Sequence, residues 1–202
     1  MAKQKFHSGR VFDDAGMTLV ELLVYMVLAV VVLLIVGGLL INSLSSERTV
    51  RNATQASNTG QLVAQSVAQG VRNASALKIR TPSFGGELLT VRTASRTNPQ
   101  TWSCQAWYFG AGEVRTTKST ALIPTTTAAS ITNWTLLGTG IQNVLGGAVF
   151  SSAPAMNPRE VILNFDVSTV NGQPVRISSS STSLQPLPVP VPVTGLVGLP
   201  CF

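Results

Sequence analysis

One long apolar segment dominates the pattern of hydrophobic and polar positions along the chain. Residues 22–41, LLVYMVLAVVVLLIVGGLLI, are 20 consecutive residues without a charge. At 1.5 Å per residue, a helix of this length covers about 30 Å, which is enough to cross a bilayer. One carboxylate, Glu21, lies at the start of the run. Because an ionisable group in such a helix needs a partner, Glu21 is a candidate functional residue.

The chain becomes polar after this run but contains no proline before Pro82. Small residues of low polarity recur there at three-, four- and seven-residue spacings, which is the pattern of a weakly amphipathic helix. They are Val50, Ala53, Ser57, Ala64, Val67 and Val71. We therefore predict that the helix continues to about Ala76, with modest interruptions at Gly60 and Gly70.

Beyond Pro82 the pattern changes to short alternating segments, which are typical of β-strands. The predicted strands are Glu87–Thr93, Thr101–Phe109, Glu113–Ser119, Thr132–Leu137, Glu160–Ser168 and Pro174–Ser180. Gly110-Ala111-Gly112 and Asn171-Gly172 predict hairpin turns, and Ser119–Ser130 is interpreted as a surface loop. The order of elements predicts an α+β fold, in which a long N-terminal helix packs on an antiparallel β-sheet.

The same pattern divides the chain into five segments. A polar leader, 1–16, precedes the membrane-crossing half of the helix, 17–41, and the amphipathic half, 42–76. A β-rich head, 77–183, is followed by a proline-rich segment, 184–202. Prolines at near-alternating positions favour an extended backbone in this last segment. It could be a strap across the head or an interaction strand for a partner, and the sequence leaves both open.

Charge predicts how the apolar run is oriented in a membrane. Lys3, Lys5 and Arg10 precede the run, so the positive-inside rule keeps the N-terminus in the cytoplasm. The head would then lie outside the cytoplasm, where the two cysteines, Cys104 and Cys201, suggest one disulfide. The formal net charge is +6, from scattered basic residues. Such residues serve solubility, or weakly favour polyanions such as DNA or a cell wall.

The residues just before the run distinguish it from an ordinary secretory signal. Such a signal is cleaved after its apolar segment, whereas here the small residue Gly16 stands before it. The stretch Gly16-Met17-Thr18-Leu19-Val20-Glu21-Leu22-Leu23 closely resembles the cleavage motif of type IV prepilins, which is found also in type II secretion pseudopilins and competence pilins. Those proteins have a short basic leader ending in Gly, then a hydrophobic residue, often TL[IV]E, and a helix of about twenty apolar residues. Met17 stands here in place of the commoner Phe.

The resemblance implies roles for three of these residues. A membrane-embedded prepilin peptidase would cleave after Gly16 and usually methylates the new amine of Met17. Glu21 would then face the N-terminal ammonium of an adjacent pilin subunit. A cytoplasmic motor ATPase and an inner-membrane platform protein would assemble the subunits. The chain would be a single-pass membrane protein before assembly and part of a cell-surface pilus after it.

No pattern of residues in the sequence indicates catalysis. The one histidine, His7, would be lost with the leader, and the remaining acidic residues lie far apart in sequence. Because there is no metal-ligand cluster, phosphate-binding loop or dinucleotide fingerprint, we predict no catalytic site, no metal and no cofactor. Aromatic residues beside arginines could stack on DNA bases, although aromatic strand residues are more often core. They are Trp102, Trp107, Tyr108 and Phe109, beside Arg92, Arg96 and Arg115.

Three functions are consistent with these features, and none of them is enzymatic. The first is a minor pilin of a type IV-like pilus. The length of the chain and its Arg72–Ser75 stretch look like the larger minor pilins of the PilW or competence type. The second is a tip pilin that binds DNA or a surface for uptake or adhesion. The third is a minor pseudopilin of a type II secretion system, of the J type, which drives secretion without a long fibre.

Overall fold

The first element is one continuous helix, α1 (Leu19–Arg72), of 54 residues. The structure, a computed structural model, describes residues 18–94, 101–123, 127–152, 159–170, 172–185 and 201. The chain divides into two units, 1–47 and 48–202, and α1 contributes residues to both. Leucine and alanine favour helix strongly, and no proline interrupts the segment, so the long predicted helix is confirmed.

The helix ends at Arg72, before the end that the sequence predicts at Ala76. Ala74 already belongs to a strand, where it pairs with Thr93 of the next strand. In that strand the backbone forms a ladder of hydrogen bonds with its neighbour, whereas a longer helix would leave the neighbour unpaired. The amphipathic half of the helix is therefore corrected to 42–72.

Five antiparallel strands form the first sheet, in the order β1-β2-β3-β4-β5. They are β1 (Ala74–Arg80), β2 (Glu87–Ala94), β3 (Trp102–Gly110), β4 (Glu113–Ser119) and β5 (Thr135–Thr139). A short helix, α2 (Ala128–Thr132), precedes β5. Each strand pairs with the next one along the chain, so the sheet is a meander.

The second sheet is built around β8 (Glu160–Val167), with β9 (Val175–Thr182) paired along its full length. Two short strands, β6 (Ile141–Asn143) and β7 (Phe150–Ser152), share its other edge. All of these pairs are antiparallel. The predicted α+β class is confirmed, but the strands form two sheets where one was expected.

Both predicted hairpins are present. Ala111 and Gly112 join β3 to β4 with φ angles of 51° and 77°. Positive φ at both positions is what a two-residue type I′ turn requires. At the second hairpin β8 pairs with β9, and of its predicted turn residues Gly172 is described while Asn171 lies outside the described residues.

Four elements were not predicted: the strands β1, β6 and β7 and the helix α2. Strands β6 and β7 have three residues each, too few to show an alternating pattern. Helix α2 begins inside the segment expected to be a loop, Ser119–Ser130. Because α2 takes Thr132, the strand expected at Thr132–Leu137 is shifted to Thr135–Thr139.

The second half of α1 packs one face into the head. Its buried residues are Ala56, Gly60, Val63, Val67, Gly70 and Val71. Of the predicted stripe, Val67 and Val71 are buried, whereas Val50 is 65% exposed. The predicted stripe leaves out Gly60 and Gly70, which the structure shows buried in the packed face.

A side chain at either glycine would collide with a neighbouring strand. A Cβ at Gly60 would lie 2.5 Å from Cγ1 of Ile177 on β9, and one at Gly70 would overlap the ring of Trp107 on β3. The Trp107 ring is fully buried, and its Nε1 donates a hydrogen bond to Ser66 Oγ at 2.9 Å. The two glycines therefore bring α1 close to both sheets instead of interrupting it.

The head contains two apolar cores on opposite faces of the first sheet. The alternation of strand side chains places Leu89 in one core and Leu88 in the other. The first core lies between α1 and the two sheets and contains Trp107 with residues of β8. The second core consists of Leu88, Cys104, Ala106, Ile123, Ile131, Trp134 and Cys201.

Replacing Gly70 with alanine should destabilise the head. The added methyl group would overlap the Trp107 ring, and overpacking a core costs about 1–3 kcal/mol. That cost outweighs the roughly 1 kcal/mol by which alanine favours helix over glycine. Thermal unfolding of the full chain in detergent should show a midpoint several degrees lower for Gly70→Ala.

The control is Gly37→Ala, the same substitution in the same helix at a position where nothing lies within 4 Å of the added atom. It should leave the midpoint of the head unchanged. Equal midpoints for Gly70→Ala and Gly37→Ala would contradict the close contact between α1 and β3.

Candidate functional site

The residues predicted to act in processing and assembly lie around the start of α1. Gly16 and Met17 are outside the described residues, so the structure says nothing about the predicted cleavage and methylation site. Thr18 is the first described residue, and the helix begins at Leu19. Glu21 lies in the first helical turn with its side chain exposed.

Thr18 caps the N-terminus of α1. Its Oγ1 accepts a hydrogen bond from the backbone N–H of Glu21 at 3.3 Å, and its carbonyl accepts one from Leu22 at 3.2 Å. Threonine followed three residues later by glutamate is the spacing of a capping box. The partial positive charge at a helix N-terminus also favours the Glu21 carboxylate. Thr18 is absent from the sequence-based candidates, although its spacing to Glu21 is the signal for this cap.

The apolar half of α1 presents its side chains outward. Every large apolar side chain from Leu19 to Ile41 is between 48% and 82% exposed. The free energy of moving one such side chain from water to a fully buried position is favourable by about 1.5–3 kcal/mol. By length and composition, α1 is the one helix among the described residues that could cross a membrane.

The two predicted disulfide cysteines are bonded to each other. Cys104 lies on β3, its Cα is 5.4 Å from that of Cys201, and both residues are buried in the second core. The bond therefore fixes residue 201 against the face of the first sheet that carries the second core, opposite α1.

The proline-rich segment is described only at its two ends. Leu184 donates a backbone hydrogen bond to the carbonyl of Arg72 at 3.1 Å, and Cys201 is held by the disulfide. Residues 186–200 and 202 lie outside the described residues. Whether this segment acts as a strap or as an interaction strand stays a prediction.

Three of the four aromatic residues considered for base stacking make structural contacts within the head. Trp107 and Phe109 belong to the first core. The Tyr108 hydroxyl donates to the carbonyl of Gly85 at 3.1 Å, and burial raises the pKa of that hydroxyl. Trp102 is the most exposed of the four, at 39%.

Trp102 is already covered on one side by a cation. The Arg92 guanidinium lies 4.3 Å from its ring centroid, and Arg92 Nε donates to Ser75 Oγ at 2.9 Å. Burial lowers the pKa of Arg92. Arg115 Nε donates a hydrogen bond to Glu113 Oε2 at 2.8 Å. Arg96 lies outside the described residues. The structure thus places Arg92 beside Trp102 but gives Arg115 a separate structural contact.

A cleft of about 890 Å³ opens beside the first sheet, lined by Phe84, Glu87 and Tyr108 among others. The Glu87 carboxylate accepts backbone hydrogen bonds from Val149 at 3.0 Å and Phe150 at 2.7 Å. It therefore holds the chain at the start of β7, and both of its oxygens are engaged. Within the described ranges, no group of three His, Cys, Asp or Glu side chains could hold a metal ion.

Comparisons with protein families, with curated proteins and with solved structures find no match for this chain.

Breaking the disulfide should destabilise the head. The bond closes a loop between residues 97 positions apart, and removing such a native bond costs about 2–5 kcal/mol. Reduced protein should therefore unfold at a lower urea concentration than oxidised protein.

The variants Cys104→Ser and Cys201→Ser should each reproduce this loss, and the double variant should lose little more than either one. If the two single losses add in full, the two sulfurs stabilise the head separately and the bond is not the cause.

Proposed function

We propose that this chain is a minor pilin, a subunit of a type IV-like filament that is assembled through the apolar half of α1. The observation that carries the proposal is a membrane-length helix with exposed apolar side chains and one carboxylate in its first turn. The prepilin-like motif at Gly16 to Leu23 directly precedes and overlaps this turn. Such a helix can lie in the membrane before assembly and in the filament core afterwards.

The pairing of Glu21 supplies the assembly mechanism. A carboxylate in hydrocarbon needs a cation, and no lysine or arginine occurs between Arg10 and Arg48. Cleavage after Gly16 would create an ammonium group on Met17, which keeps its charge when it is methylated. Glu21 of one subunit then pairs with the Met17 ammonium of its neighbour, and this pair sets the register between the two helices.

The remaining partners follow from this route of assembly. A prepilin peptidase removes the leader, and a motor ATPase with a platform protein lifts the subunit out of the membrane. The basic leader keeps the N-terminus cytoplasmic, and the head lies in an oxidising compartment, which is consistent with its disulfide. The Trp102–Arg92 pair is the part of the head that suits a DNA or surface ligand best.

The same helix and motif also suit a minor pseudopilin of a type II secretion system. The two assignments differ in the product, because a pilus displays a surface fibre whereas a pseudopilus drives secretion from within the envelope. Detection of the chain in sheared surface fibres favours the pilus, and its retention in the envelope with a secretion defect on deletion favours the pseudopilus.

Gly16→Val should block processing. A branched side chain at the cleavage position would not fit where a peptidase requires glycine, so the longer precursor should accumulate on immunoblots. Gly9→Val, the same change inside the leader, should be processed normally. A mature-length product from Gly16→Val would contradict cleavage at this position.

Glu21→Ala should be processed but should enter filaments poorly. Removing one partner of a buried ion pair costs about 3–5 kcal/mol, so incorporation should fall at least tenfold. Quantitative immunoblots of membranes and sheared filaments measure both quantities. Glu47→Ala removes a carboxylate from a later part of α1 and should incorporate like the native chain. Normal filament content of Glu21→Ala would rule out the pairing mechanism.

A further inference from the structure

Tyr25 is the one other residue in the apolar half of α1 with a strong hydrogen-bonding side chain. Between Leu19 and Ile41 every residue is apolar or glycine except Glu21 and Tyr25. Tyr25 is 55% exposed, and its hydroxyl makes no hydrogen bond to the described residues. In hydrocarbon a phenol needs an acceptor, because the backbone carbonyls of the helix are already used.

The helix places Tyr25 and Glu21 on one face. They are four residues apart, so they are separated by about 6 Å along the axis and lie one above the other. Helical side chains lean toward the N-terminus, which directs the Tyr25 ring over the turn that carries Glu21. The Glu21 carboxylate is the one anionic acceptor between Leu19 and Ile41.

We propose that the Tyr25 hydroxyl donates a hydrogen bond to the Glu21 carboxylate of the same helix when α1 is in hydrocarbon. One carboxylate oxygen is thereby held by the phenol, and the other faces the ammonium of the neighbouring subunit. Tyr25 is thus a positioning residue for the assembly contact. This role in assembly rests on the proposed function, whereas the hydrogen bond itself does not.

The hydrogen bond is tested on the full chain in detergent micelles. Ultraviolet resonance Raman spectra report whether a tyrosine hydroxyl donates, and the difference between the native chain and Tyr25→Phe isolates Tyr25 from Tyr108, the other tyrosine. The spectrum should show Tyr25 as a strong donor in the native chain. The donor signature should be lost in Glu21→Leu. An unchanged signature in Glu21→Leu would overturn the proposal.

The consequence for assembly is tested by filament incorporation. Tyr25→Phe removes a hydrogen bond to a charged group, and such bonds are stronger than neutral ones. Incorporation of Tyr25→Phe should therefore fall about tenfold. In a Glu21→Ala background the same change should have no further effect, because the acceptor is gone. Tyr25→Phe keeps an aromatic ring at the membrane surface and removes only the hydroxyl, so normal incorporation of Tyr25→Phe would overturn the proposal.

These outcomes separate the two proposals. If Glu21→Ala assembles normally, the proposed ion pair fails whatever the Raman spectra show. If Glu21→Ala is defective while Tyr25→Phe assembles normally, the ion pair stands and the positioning role of Tyr25 is wrong.

Discussion

The apolar side chains from Leu19 to Ile41 must be kept out of water, and the proposed function rests on this requirement. They are exposed along the whole apolar half of α1, so either lipid or other protein has to surround them. Lipid satisfies the apolar side chains but not the Glu21 carboxylate, which needs a cation close by. The neighbouring helix that we propose, with its N-terminal ammonium, would satisfy both needs. The Thr18 cap begins the helix immediately before the turn that carries Glu21.

The head meets a different requirement with the same helix. Beyond residue 48, α1 has few large apolar side chains. It packs on the sheets through close approach of its backbone and not through large side chains of its own. Gly60 and Gly70 let Ile177 and Trp107 pack directly against the helix backbone, so each sheet gains a contact that larger residues would prevent. A second core on the outer face of the first sheet is held by the Cys104–Cys201 bond. One helix therefore carries exposed apolar side chains in its first half and a closely packed face in its second.

The sequence predicted features that depend on local pattern and missed features that depend on neighbours. The long helix, the strand of residues 113–119 and the Ala111-Gly112 turn each have a periodicity or a turn signal of their own, and each is confirmed. The end of the helix, β6 and β7 depend on pairing with distant strands, which no local pattern contains. Gly60 and Gly70 look like helix breakers until Ile177 and Trp107 are placed beside them. At the candidate site, Glu21 stands out by its charge, whereas the role of Thr18 depends on recognising a three-residue spacing.

We propose above all that the Glu21 carboxylate of one subunit contacts the N-terminal ammonium of another. A hydrophobic carbodiimide links a carboxylate to an amine only when the two are in contact, and it can reach groups inside an apolar filament core. Treated filaments should yield a covalent dimer on denaturing gels, and mass spectrometry should find the Glu21 peptide joined through its carboxylate to the N-terminal α-amine of a pilin subunit. A dimer joined through other residues, with Glu21 unmodified or linked only within its own chain, would rule out this contact.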